Sequence, residues 1–195
     1  VNGVLLKPLP LPNSDRLIAL VHQAPGAGIA ETSASPAFYQ TYRGHNTTFE
    51  SVALWNEGTA SITGAGDPEE VPSLSGTYEL LATLGVQPLL GRTVTEVEGQ
   101  RGAASTVILS YDYWQTRFGG AEDVLGKTLV GGGVASEIIG VLPPDFRFTQ
   151  QPVAIVTPDS LKDGFPFDPS TGWRGVAWLK GGVTLEQACP DNARM

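Results

Sequence analysis

The sequence predicts an α+β fold in which short strands outnumber a few short, capped helices. Two observations carry this. The block Thr106–Phe148, TVILSYDYWQTRFGGAEDVLGKTLVGGGVASEIIGVLPPDFRF, reads as strand, Ser-capped helix, Gly stop, strand, Gly turn and strand. The composition, 195 residues with 41% hydrophobic and 16% charged, suits one folded domain or two small subdomains sharing a core.

The chain opens on the apolar run Val1–Leu6, with Lys7, Pro8, Pro10 and Pro12 behind it. A secretory signal runs in the opposite order, basic before apolar. The run therefore reads either as the end of a membrane helix leaving the bilayer or as a buried strand. Leu17–Val21 is predicted as a strand and Gly26–Ser33 as a loop. Ser35 and Pro36 start a short helix, with Phe38 and Tyr42 four residues apart and Gly44 as the stop.

Phe49–Trp55 and Ala60–Thr63 are predicted as two strands, and Gly64–Pro68 as a turn. Glu69 and Glu70 fit a solvated turn, because adjacent residues of a strand face opposite sides and cannot act as a paired acid and base. Thr77–Leu84 is predicted as a helix capped by Gly85, and 95–105 as a surface loop. Within the long block, Thr106–Leu109 is a strand and Ser110 an N-cap. Tyr111, Trp114 and Phe118 share one helix face, and Gly119-Gly120 ends the helix. Lys127–Val130 and Glu137–Val141 are strands joined by Gly131–Gly133.

Val153–Val156 and Trp173–Leu179 complete the strands, with the aromatic loop Gly164–Gly172 between them. Thr184 and Gln187 form a capping box. Pro190 follows so closely that this last helix reads as incomplete.

The charge excludes some partners. With 20 Asp+Glu against 12 Lys+Arg, a net −8, the chain is a poor match for nucleic acid or for an anionic membrane surface. No run approaches the roughly 18 apolar residues that span a bilayer, so the chain as given reads as soluble. Cys189 is the single cysteine and forms no internal disulfide.

Enzyme motifs are absent from the sequence. Gly126-Lys127-Thr128 ends like a phosphate-binding loop, but Gly120 lies one place too far upstream and a strand, not a helix, follows. His22 and His45 lack ligands at metal spacing, and no serine occupies a Gly-x-Ser-x-Gly elbow. No catalytic residue, metal or cofactor is expected. Asn46-Thr47-Thr48 matches a glycosylation triplet too common to carry weight. Core packing is the default for the four tryptophans. Trp173, with Phe165 and Phe167 of the neighbouring loop, is the predicted partner-contact patch.

Six segments, in chain order, carry a family likeness: VNGVLLKPLPLPNSDRLIAL, LSGTYELLATLGVQPLLGRTV, TVILSYDYWQTRFGG, DVLGKTLVGGG, EIIGVLPPDFRF and LKGGVTLEQA. They resemble consecutive blocks of permeases with a MacB-like periplasmic core domain, in particular the acidobacterial-type relatives. Beyond Ala188, Cys189-Pro190-Asp191-Asn192 departs from that pattern. The resemblance implies a non-catalytic extracytoplasmic domain of an ABC-type transporter permease, on the periplasmic face of the inner membrane. Such a domain couples movement of the membrane helices to a substrate or partner outside the membrane.

The partners so implied are the remainder of the permease and its ATPase, with a second protomer or a periplasmic partner protein beyond them. The implied layout makes 1–32 the membrane-helix exit and leading strand, 33–94 with 168–195 a βαβ-rich subdomain, and 95–167 an inserted, mostly β subdomain. The alternative is a free-standing extracytoplasmic module that binds a ligand or protein through the Phe165–Trp173 loop. A hydrolase would need carboxylates converging in one deep pocket.

Overall fold

The computed structural model describes residues 3–8, 16–24, 29–32, 34, 36–63, 67–149, 151–161, 172–185 and 187–188. The chain forms two compact units, Val1–Asn56 with Leu161–Met195, and Glu57–Ser160. Residues 57–94 thus share the second unit with the later block; Ile62 and Thr63, for example, pair with Gly131 and Val130.

In the first unit, β1 (Gly3–Pro8), β2 (Leu17–Ala24), β11 (Arg174–Leu179) and the start of β4 (Phe49–Thr63) lie in that order, antiparallel throughout. Gly3–Pro8 is thus a strand, where the sequence left open a membrane-helix exit. The short β3 (Ile29–Thr32) pairs with the end of β2, inside the segment expected to be loop. Helix α1 (Pro36–His45) turns Tyr39 and Tyr42 into a core with Ile18, Leu20, Phe49, Val52, Leu54, Ala177 and Leu179. Tyr42 meets Phe49 edge-on at 5.9 Å between ring centres. Burial raises the Tyr42 phenol well above its ordinary pKa.

Asn46 sets the entry to β4. Its Oδ1 accepts from the Thr48 and Phe49 amides, both at 2.7 Å, closing an Asx turn. Strand β4 then runs for 15 residues, merging the two strands expected on either side of Asn56–Thr59. Polar residues there face outward along an extended backbone, so they interrupt the apolar pattern without ending the strand.

The second unit holds the end of β4 with β5 (Glu69–Gly76), α2 (Leu80–Thr83), β6 (Leu90–Gly91), β7 (Thr106–Leu109), α3 (Tyr111–Phe118), β8 (Thr128–Gly131), β9 (Val134–Val141) and β10 (Ile155–Pro158). Glu69 and Glu70 open β5 rather than lying in a turn. Helix α2 is shorter than Thr77–Leu84: it starts after Glu79, an N-cap residue with no side-chain cap bond. Helix α3 begins as expected, with Ser110 Oγ accepting from the Tyr113 amide at 3.2 Å and Gly119 in the left-handed region at φ 62°.

These strands close on themselves. β4 is bonded to β5, β5 to β10 (parallel), β10 to β7, β7 to β9 (parallel), β9 to β8, and β8 back to β4 through Ile62↔Gly131. The result is a six-stranded ring, with β6 attached to the free end of β9. Register places Ser73 with Ile155, Ile155 with Leu109, Val107 with Ile138, and Leu129 with Ser136 on one face. Ile62, Val71, Leu109, Val124, Leu129, Ile138 and Val141 form one buried cluster with Tyr113 and Trp114 of α3. That face is the ring interior, and the α3 aromatics pack into its apolar end.

Candidate functional site

The opposite end of the ring is open. A cavity of about 610 Å³ is lined by residues of all six ring strands and by the 98–105 loop. Alternation explains its chemistry. Going outward along β5 the inward positions are Val71, Ser73 and Ser75, and along β10 they are Ile155 and Thr157. On β9, Ser136 precedes the buried Ile138. The apolar interior therefore gives way to hydroxyls at the mouth. Ser75 Oγ and Thr157 Oγ1 share a hydrogen bond of 3.2 Å. Ser73 is 8% exposed, and its hydroxyl has no hydrogen-bond partner among the described residues.

The charged residue of that lining is Glu98, and it is already spent. Arg92 grips both carboxylate oxygens, at 2.7 and 2.8 Å, while the Thr95 amide and hydroxyl donate to Oε2 at 2.8 and 2.7 Å. Thr95-x-x-Glu98 is a capping box for the turn that follows. The Arg92 hydrogen bonds are the main reason the Glu98 carboxyl sits at about 2. Gly91 makes the close approach behind this clasp possible: at φ 74°, an added Cβ would lie 2.1 Å from the Ile139 carbonyl oxygen.

A second polar node lies on the ring. Tyr113 Oη donates to Glu69 Oε1 at 2.8 Å, and Arg117 Nε lies 3.2 Å from the same oxygen. Desolvation, then the Glu69 hydrogen bond, lifts the Tyr113 phenol to about 12. Both nodes are internally satisfied pairs, not poised acids or bases. Lys127, from the phosphate-loop-like tripeptide, pairs with Asp123 at 3.0 Å and leads into β8. Among the described residues no group of His, Cys, Asp and Glu could hold a metal ion.

Of the predicted contact patch, Phe165 and Phe167 lie outside the described residues. Trp173 is half-buried, packs against the core of the first unit, and its carbonyl accepts from the Ala34 amide at 2.8 Å. Its neighbour Arg174 lies over the Trp55 ring, 4.8 Å from the ring centre. Trp55 and Trp114 are buried, as the default for tryptophan leads one to expect. The hydroxyl-lined mouth has no counterpart in the sequence reading; the signal was the alternation Val71, Ser73, Ser75.

Comparison with known proteins agrees with this architecture. No curated protein matches the chain. Among solved structures, the periplasmic region of MacB from Actinobacillus actinomycetemcomitans superposes with a TM-score of 0.63 at 14% identity, covering 87% of this chain and 77% of that one. A domain of a putative permease from Porphyromonas gingivalis gives 0.64 at 16% identity, covering 89% and 79%. The extracellular domain of the noncanonic ABC-type transporter YknZ from Gram-positive bacteria gives 0.63 at 16% identity, covering 100% and 91%. At these identities the likeness is one of α+β fold. The family described as MacB-like periplasmic core domain matches residues 2–188, and the chain therefore belongs to the family of periplasmic core domains of MacB-like ABC transporter permeases.

Proposed function

We propose that this chain is a non-catalytic coupling domain, which passes movement of the permease's membrane helices to a substrate or partner outside the membrane. The observation that carries the reading is the pairing of the chain's two ends in one sheet. β11 lies between β2 and β4, with Val176 opposite Ala19 on one side and Ala53 on the other. A displacement applied before β1 or after β11 acts on the same hydrogen-bonded sheet, and the sheet answers as one body. β4 leaves that sheet and supplies residues to the ring, so the load has a continuous backbone to follow.

In this reading the remainder of the permease and its ATPase supply the movement. Phe165, Phe167 and Trp173 supply contact with a second protomer or a periplasmic partner protein. The test uses the intact permease reconstituted with its ATPase. Replacing Phe165, Phe167 and Trp173 together by Ala lowers the ratio of substrate moved to ATP hydrolysed. An unchanged ratio, with the variant present at the wild-type level, sinks the proposal for those residues.

Trp178 offers an independent handle on the sheet itself. It faces Leu17 of β2 and Ser51 of β4 across the ladder, with the Arg16 guanidinium 5.6 Å from its ring centre. A disulfide between Cys introduced at Ser51 and Trp178 fastens β4 to β11. Sheet residues that move as one body tolerate this lock with the transport ratio intact; loss of transport on oxidation, restored by reductant, means the two strands shift and the coupling reading fails.

A further inference from the structure

We infer that the open mouth of the ring is a binding site for an uncharged, hydroxyl-rich small molecule of the sugar or polyol kind. This goes beyond the coupling role and does not depend on it.

Four observations lead there. The cavity, at about 610 Å³, lies in the size range of small-molecule sites. Its polar groups at inward register positions are side-chain hydroxyls, Ser73, Ser75, Ser136 and Thr157. Ser73 as a residue is more than nine-tenths buried and lines the cavity, and its hydroxyl lacks a partner among the described residues but stays open to the cavity's water, which an entering group can displace. Apolar ring residues Val107, Leu129 and Ile155 continue the wall inward, giving the C–H face of a sugar something to pack on.

The same features decide the ligand's chemistry. An ionised ligand would leave water with no counter-charge to meet, because Glu98 is committed to Arg92 and Thr95. A peptide strand adds to a free sheet edge, and closure of the ring gives each of its six strands a neighbour on both sides. What remains on offer is the Gln100 side-chain amide and a set of rotatable hydroxyls, groups that both donate and accept. These match a ligand whose own groups do both.

Saturation-transfer NMR on the full 195-residue chain tests this with three probes at millimolar concentration: sucrose, succinate and acetyl-trialanine methylamide. Sucrose is expected to receive saturation and the other two are not. The Ser73→Ala and Thr157→Val double variant is expected to weaken sucrose binding at least about fivefold, the loss of one or two net hydrogen bonds. Thermal melts verify that the variant is folded; should it not be, Ser136→Ala, at a partly exposed position, takes its place with the same expected loss. No transfer to sucrose, equal transfer to succinate or the peptide, or sucrose binding untouched by a folded variant overturns the assignment.

Discussion

The guanidinium of Arg92 meets the carboxylate of Glu98 through two parallel hydrogen bonds, 2.7 and 2.8 Å long, six residues apart in the chain. The pair is half open to water on the arginine side and mostly covered on the glutamate side. Its effect on stability has a definite sign. The folded carboxyl titrates near 2 against an ordinary 4.5, so its contribution is complete above pH 4.5 and is lost as pH falls toward 2. Glu98→Gln is expected to lower stability by about 1 kcal/mol at neutral pH, a value kept small by solvent screening. Urea melts should show the gap between wild type and variant closing across that acid window. Parallel curves would mean the clasp contributes nothing.

Gly91 separates steric from conformational cost. Gly91→Ala places a methyl 2.1 Å from the Ile139 carbonyl oxygen at a left-handed φ, whereas Gly85, at φ 69°, has nothing within 4 Å of an added Cβ. Gly85→Ala should cost about 1 kcal/mol from backbone strain alone, and Gly91→Ala about 3 kcal/mol or more. Denaturant midpoints measure both; equal losses would contradict the close approach of Gly91 to the Ile139 carbonyl.

Thr106 points to a gain. Its Oγ1 is buried without a hydrogen-bond partner among the described residues, as is that of Thr83. Thr106→Val keeps the shape and removes the desolvated hydroxyl, so stability should rise by about 1 kcal/mol, or about 2–4 °C in Tm for a chain of this size. A lower Tm would show that the hydroxyl has a partner in solution.

The aromatic end of the ring should respond in steps. Trp114 is buried in the ring cluster and its indole N–H donates to the Ala121 carbonyl at 2.9 Å. Trp114→Ala should cost about 3–5 kcal/mol. Tyr113→Phe keeps the ring in the cluster and loses only the bond to Glu69, which Arg117 still holds, for about 1 kcal/mol. Calorimetry ranks the two, and a reversed order would refute the assignment of Trp114 to the core.

Local chemistry was legible in the sequence and ring closure was not. Ser110, Gly119 and the Thr184–Gln187 box announce themselves because a cap needs only neighbours; Gln187 Oε1 does accept from the Thr184 amide at 3.0 Å. The family likeness was legible because its segments keep their order. Ile62↔Gly131, the contact that closes the ring, joins residues far apart in sequence, and no periodicity records it. Glu69 looked like turn because its Tyr113 and Arg117 partners come from a helix more than forty residues on. The cavity stayed hidden for a related reason: the inward positions Ser73 and Ser75 of β5 mark a mouth only once strands distant in sequence close around them.

The pairing of β2 with β11 also fixes an order of events during synthesis. Leu17–Leu20 bond to Gly175–Trp178, so that edge of β2 stays unmatched until residue 178 has been made. Every pairing in the Glu57–Ser160 ring, by contrast, is complete once residue 158 has emerged. The ring can therefore form first, and its closed ladders shorten the loop that separates the start of β4 from its partner β11.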